Sequence, residues 1–196
     1  LTAAPERLPL AGAEADHYRA AFPSGEADLL FALLRRELDW REATIRLFGR
    51  AVTQPRHSAW YGDAPYTYSN LTWPARPWPA SILAIKARVE ALAGQSFNGV
   101  LANLYRDGRD SMGWHADDEP ELGSDPVVAS VVFGTARRFL FKRKDDAHRK
   151  LEVALGHGDL LIMGPGTQRH WLHAVPKTAK PVGERINLTF RLITGS

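Results

Sequence analysis

The chain contains no cysteine, which excludes a disulfide framework, a thiolate metal centre and a thiol nucleophile, and leaves any metal to nitrogen and oxygen ligands. Methionine is scarce, at 2 residues. No apolar run approaches the roughly 20 residues a membrane helix needs. The Ala-rich opening lacks the basic-then-apolar order of a secretory signal, so no membrane partner is expected and the protein is expected inside the cell, cytoplasmic in a bacterium or nuclear in a eukaryote. There is no glycine-rich phosphate loop and no alternation of parallel strand and helix, which sets aside P-loop and Rossmann enzymes. What is present is a 196-residue chain, 44% hydrophobic and 24% charged, the composition of one globular domain with a substantial core.

Neither charge sign dominates, since 25 Lys and Arg face 22 Asp and Glu, but the distribution is uneven. Residues 1–30 carry −3 and the remainder +6. The densest basic stretch, Arg137, Arg138, Lys142, Arg143, Lys144, Arg149 and Lys150 around Asp145 and Asp146, reads as a hairpin. Its exposed side suits either plain solvation or contact with phosphates.

Helical spacing of Leu29, Leu30, Leu33 and Leu34 after Ser24 as N-cap predicts a helix to about Asp39. Pro79 opens a second helix with the stripe Ile82, Ile85, Val89 and Leu92, and Gly94 closes it. Residues 1–23 read as an irregular lead-in. From Asn98 onward the pattern changes to short apolar runs, 100–105, 127–133, 139–143, 151–155, 160–163, 171–175 and 186–193, separated by turn residues. The expected class is mainly β with flanking helices (α+β), a barrel or jelly roll. The whole of 1–196 is expected to form a single domain, with 1–97 as an N-terminal extension carrying the helices and a recognition segment, and 98–193 as the β core.

His115 and Asp117 stand two residues apart, so on an extended segment both side chains point the same way and can grip one ion. A His-x-Asp pair alone is weak. It gains weight from His170 and His173, the latter 56 residues after Asp117, because one of them completes a two-His-one-carboxylate triad with open iron positions. Alternation sends His170 and His173 to opposite faces and does not choose between them. The final run places Arg185, Asn187, Thr189 and Arg191 on one strand face. Two inward arginines need anions, either an internal acid such as Asp117 or Glu119, or a dicarboxylate held in bidentate fashion.

Taken in order, Asn103, Tyr105, Gly108, Asp110, Met112, His115, Asp117, Asp118 and Glu119, then Ser130 to Gly134, His173, and Arg185, Asn187, Thr189, Phe190 and Arg191, resemble the AlkB family of iron(II)- and 2-oxoglutarate-dependent dioxygenases, in its nucleic-acid repair branch. The resemblance covers about residues 40–193 and implies a double-stranded β-helix with helices packed outside. It selects His173 over His170. It implies that His115, Asp117 and His173 bind Fe(II) and are the catalytic centre, that Asn103, Tyr105, Arg185, Thr189 and Arg191 hold 2-oxoglutarate, with Asn187 on the same face, and that O2 is the oxidant. Phe48, Gly49 and Arg50 resemble a loop wedged into a duplex, and Arg56 an arginine that grips its backbone. Tyr66 and Tyr68 would flank a flipped base, with Glu119 and Asp118 near its edge. This segment departs from the animal members: it is shorter between Asp63 and Tyr66, and has Tyr68 where a phenylalanine is familiar.

Independently of the resemblance, Trp60, Tyr61, Tyr66, Tyr68, Trp73 and Trp78 put six rings into 19 positions. Such rings serve either as stacking platforms for bases or as a lid over a core, the second suiting the three tryptophans. The activity the resemblance implies is oxidative removal of N-methyl groups, as in 1-methyladenine and 3-methylcytosine, from DNA, with RNA as the other polymer, by a monomer, releasing formaldehyde and succinate. The alternatives are a related hydroxylase or demethylase of protein or lipid, a non-catalytic nucleic-acid-binding module, and last a zinc hydrolase.

Overall fold

A computed structural model describes residues 4–47, 50–68 and 71–195. Its first half comprises β1 (Glu6–Arg7), β2 (Ala15–Tyr18), α1 (Ser24–Glu37), β3 (Arg41–Leu47), β4 (Arg50–Gly62), β5 (Tyr66–Tyr68), β6 (Leu71–Trp73) and α2 (Ala80–Ala93). The second half comprises β7 (Gly99–Tyr105), β8 (Met112–His115), β9 (Val128–Gly134), β10 (Arg137–Arg143), β11 (Lys150–Leu155), β12 (Leu160–Met163), α3 (Thr167–His170), β13 (Trp171–Val175) and β14 (Arg185–Arg191). An eight-stranded sheet in the order β1-β2-β12-β9-β14-β7-β4-β3 faces a four-stranded sheet in the order β11-β10-β13-β8, and β5 and β6 form a small ribbon. This is the jelly-roll arrangement expected from the strand pattern.

Alternation along β14 explains the layering. Ile186, Leu188 and Phe190 point to the face covered by the helices, where they join Ala27, Leu34, Ile82, Ile85 and Val89 in one core cluster. The other face looks toward the small sheet, where Val132, Phe139, Phe141, Met163 and Trp171 form a second cluster. Each fully buried Ile or Val stabilises the fold by about 1.5–3 kcal/mol relative to exposure. The polar residues of β14 face this inner space between the sheets, which is where the site lies.

The second helix follows its sequence signals: Pro79 is the N-cap, and Gly94 adopts φ 68°, its N–H bonding the Glu90 carbonyl. The first helix differs in detail. Its N-cap is Pro23, not Ser24, and Leu29 is exposed, because the buried stripe runs through Ala27, Leu34 and Leu38.

Residues 4–23 are not wholly irregular, as they include β1 and β2. β2 pairs antiparallel with β12, Leu160 opposite Tyr18 and Met163 opposite Ala15, and so extends the large sheet. A run of only four residues carries too little periodicity to announce itself; docking against β12 makes it a strand. One interaction locks it. The buried Asp159 carboxylate accepts from His17 Nε2 at 2.9 Å, the Ala20 N–H at 2.9 Å and the Gly156 N–H at 2.8 Å. Burial pushes the Asp159 pKa up, but these three donors outweigh it and hold the carboxyl below the usual range. A depressed folded pKa gives stability that is present above the unfolded carboxylate value and lost as pH falls through the folded one. Asp159→Asn is therefore expected to lower stability by about 1–3 kcal/mol near neutral pH. Thermal denaturation should show the gap from wild type closing on acidification; a gap independent of pH would refute this role.

Candidate active site

The short sheet aligns the two histidines. His173 on β13 stands opposite His115 on β8, with their ring centroids 4.1 Å apart. Two residues of β13 span three of β8, from His173 opposite His115 to Val175 opposite Met112, which marks a bulge at Gly113 and Trp114. Bulges commonly re-aim a side chain beside an active site. Asp117 lies two residues past the end of β8, and ligand atoms of His115, Asp117 and His173 all lie within 4.8 Å of one another. The sheet thus decides between the histidines: His173 faces the carboxylate, whereas His170 ends α3.

Electrostatics fix the charge state of this triad. Burial pushes the His173 pKa down to about 3, with His115 adding to the effect. Burial also lowers His115. Nδ1 of His115 donates to the Gly113 carbonyl at 2.9 Å, the tautomer that puts the lone pair on Nε2. Burial opposes ionisation of Asp117, but Arg191 and the two histidines overcome it and hold the carboxyl well below its usual range. Two neutral imidazoles and one carboxylate are the donor set of a divalent first-row cation. The residues fit such an ion, since buried Asp117 Oδ2 and His173 Nδ1 have no hydrogen-bond partner and Oδ2 lies 3.6 Å from His173 Nε2.

The two inward arginines find different answers. Arg191, 2% exposed, gives Nη2 to Asp117 Oδ1 at 2.6 Å and lies over the Tyr66 ring at 5.2 Å, so its anion is the internal acid. Arg185, 0% exposed, meets no acid among the described residues. Its Nη2 donates to Asn187 Oδ1 at 3.1 Å, its Nε and Nη1 have no acceptor, and its guanidinium lies 5.2 Å from the Tyr105 ring centre. Burial pushes its pKa down to about 10. A buried guanidinium with unused donors fits a carboxylate ligand. Asn103, Tyr105, Asn187 and Thr189 line the cavity beside the triad. Ser130 Oγ and Asn187 Oδ1 are 2.9 Å apart, and Asn187 Nδ2 donates to Thr189 Oγ1 at 2.8 Å, so these side chains form one polar ladder.

Several recognition residues lie elsewhere than expected. Arg56 does not reach out to a nucleic-acid backbone: it is 3% exposed, because the pairing of β3 with β4 slips around Pro55 and turns it inward. There its Nε donates to Asn103 Oδ1 at 3.0 Å, and Ser58 Oγ donates to the same atom at 2.8 Å. Asn103 is thereby oriented with its amide NH2 left for the cavity. Tyr66 is not an open platform but fully buried, stacked on Trp60 with centroids 4.6 Å apart. Asp118 is exposed and accepts from Lys144 at 2.9 Å, whereas half-buried Glu119 has its pKa raised, by burial first and then by Asp117. Phe48 and Gly49 lie outside the described residues; Arg50 begins β4 and Tyr68 ends β5, and only their backbone is described.

The basic hairpin, β10 and β11, is largely self-neutralised. Arg138 pairs with Glu152, Arg143 with Asp145 and Arg149 with Asp146, while Arg137 is buried and donates to the carbonyls of Asp107, Asp110 and Pro176. Ion pairs and the burial of Arg137 account for most of its charge.

Other site residues were not expected from the sequence. Ser130, Met163 and Phe139 line the cavity, the last stacked on His173 with centroids 5.3 Å apart. Ser130 had a signal, being the lone hydroxyl in the apolar run 127–133.

Comparisons with known proteins agree with this geometry. The model of the 2OG-Fe(II) oxygenase superfamily matches residues 14–191. The chain is 42% identical over 177 residues to the alpha-ketoglutarate-dependent dioxygenase alkB homolog 3 of Bos taurus, covering 86% of this chain and 62% of the relative. It is 41% identical over 188 residues to the DNA oxidative demethylase ALKBH2 of Mus musculus, covering 90% and 79%. The chain spans about three fifths of the length of the alkB homolog 3 relatives it matches. In fold it is similar to the solved structure of OsALKBH1, with a TM-score of 0.70 and 17% identity over 96% of this chain and 99% of that one. With the superfamily model spanning both sheets and close relatives sharing four residues in ten, the chain belongs to the 2OG-Fe(II) oxygenase superfamily and, within it, to the AlkB family.

Proposed function

We propose that this chain is an iron(II)- and 2-oxoglutarate-dependent demethylase that removes N-methyl groups, of the 1-methyladenine and 3-methylcytosine type, from DNA, with RNA as the second polymer to test. The observation that carries the reading is the triad of half-buried His115 with buried Asp117 and His173, beside a polar ladder whose Asn187 is bonded to Arg185, a buried cation with no acid partner among the described residues. The printed name of the ALKBH2 relative, a DNA oxidative demethylase, supports the substrate class. The enzyme acts as an intracellular monomer, and no helix among the described residues is long and apolar enough to cross a membrane.

His115, Asp117 and His173 would hold the iron. Asn103, Tyr105, Arg185, Asn187 and Thr189 would hold 2-oxoglutarate. When bound, the iron with 2-oxoglutarate and O2 supplies oxidation of a methyl C–H bond, the cosubstrate leaving as succinate and carbon dioxide. The protein's part is arrangement. Arg191 keeps Asp117 ionised, burial keeps both histidines neutral, and the Ser130, Asn187 and Thr189 ladder presents fixed polar atoms to the dicarboxylate. A hydroxylated N-methyl group then breaks down to formaldehyde and the repaired base. A methyl on the pairing edge leaves a cationic base that cannot pair and costs less to flip out. Glu119, in no ion pair among the described residues, is the acid left to meet that cation.

The test is mass spectrometry of an oligonucleotide carrying one 1-methyladenine, incubated with protein, iron(II), 2-oxoglutarate and air beside a His115→Ala control. Loss of the methyl group only with intact protein and cosubstrate is the expected result. An unchanged oligonucleotide with succinate still formed would move the substrate to protein or lipid, and no succinate at all would favour a binding module.

A further inference from the structure

Asp117 carries the triad's only charge, yet the sheet does not hold its backbone. β8 ends at His115, so the Asp117 N–H lies beyond the last strand pairing while the residue is 1% exposed. A buried N–H without an acceptor is costly. The acceptor comes from 51 residues later in the chain: Gln168 Oε1 takes this N–H at 3.0 Å. Gln168 is itself fully buried, and its Nε2 donates to Met163 Sδ at 3.7 Å.

Gln168 sits on α3, a single turn clamped from two sides. The Gly166 N–H donates to Asp125 Oδ1 at 2.8 Å, and Thr167 Oγ1 donates to the Glu14 carbonyl at 2.7 Å. A Cβ at Gly166 would come within 2.2 Å of the Gly12 carbonyl, so the turn packs directly on the N-terminal segment. The side chain is therefore a fixed reference point. Arg191 holds the carboxylate of Asp117 and Gln168 holds its main chain.

We propose that Gln168 is a positioning residue that sets the aim of Asp117, and through it the affinity of the triad for a divalent cation; this rests on the metal-site reading above. Among the described residues Gln168 bonds the main chain of Asp117 and the sulfur of Met163, not a ligand atom of the triad. Partners that orient a ligand typically change metal affinity about 10- to 100-fold when removed.

Mn(II), which is redox-silent, serves as the probe, with free Mn(II) followed by electron paramagnetic resonance and thermal midpoints measured without metal. Gln168→Met, near in volume but without the carbonyl, is expected to weaken Mn(II) binding about tenfold or more and, because it leaves the Asp117 N–H unsatisfied, to lower the midpoint by roughly a few °C. Gln168→Glu keeps a carbonyl oxygen and is expected to bind within about threefold of wild type. Binding by the Met variant equal to wild type would overturn the inference, as would a Glu variant as weak as the Met one. Should the Met variant fail to fold, hydrogen exchange in the wild type decides: slow exchange of the Asp117 amide supports the inference, and exchange at an unprotected rate overturns it. A wild-type protein that takes up no Mn(II) overturns the metal-site reading itself, and this inference with it.

Discussion

Arg185→Met is expected to make the protein more stable in the absence of cosubstrate while lowering its affinity for 2-oxoglutarate about 100-fold or more. Both effects come from one feature, a guanidinium buried with no acid partner among the described residues, whose pKa burial has lowered to about 10. Replacing buried charge by an apolar side chain of similar size is often stabilising by about 1–4 kcal/mol. In a domain of this length each kcal/mol moves the midpoint by roughly 2–4 °C. The neighbouring polar atoms survive the change, because Asn187 Oδ1 keeps its bond to Ser130. A carboxylate arriving beside the thioether side chain of the variant would have no charge to meet. Scanning fluorimetry of both proteins with Mn(II), with and without 2-oxoglutarate, reads the two effects together. A lower midpoint in the variant without cosubstrate would show that Arg185 has a structural anion after all.

Asp117→Ala should produce the opposite pattern, a protein that loses both its metal and its stability. The metal loss follows from removing the triad's only anionic ligand. The stability loss arises at Arg191, which is 2% exposed and bonded to Asp117 at 2.6 Å. Breaking a buried pair by removing one partner costs about 3–5 kcal/mol, because the other charge is left uncompensated. The midpoint should fall by roughly 10 °C. A double-mutant cycle separates the two effects. Adding Arg191→Met to Asp117→Ala should restore much of the stability and none of the Mn(II) binding. If the double variant is no more stable than Asp117→Ala, the ion pair is not what holds this part of the core.

The strand runs after Asn98 were legible because each has the period and turn punctuation of a half-buried strand, and 160–163 and 171–175 coincide with β12 and β13. The region before Asn98 was harder to read. β2 is four residues long, and β4 contains Pro55 within an irregular pairing. Neither has a local pattern that outweighs its surroundings, and both are strands because a neighbouring edge offers hydrogen bonds. Arg56 follows from the same cause: a surface arginine in sequence terms becomes a buried support for Asn103 because the strand slips beside it. Tyr66 likewise reads as an exposed ring from composition and is a core ring by packing on Trp60.

The donor chemistry is written in the residues alone. With no cysteine, His115 and Asp117 two residues apart, His170 and His173 further on and two arginines on one strand face, they call for a nitrogen and oxygen metal site near anion-binding cations. Which groups meet is a matter of folding in three dimensions. The pairing of β13 with β8 sets His173 opposite His115, and the packed core gives Arg191 to Asp117, leaves Arg185 without an acid among the described residues and brings Gln168 to the main chain of Asp117. The contacts that Asp117 makes with Gln168 and Arg191 join residues 51 and 74 positions apart. Local spacing cannot encode such contacts; the register of strands and the packing of a clamped turn can.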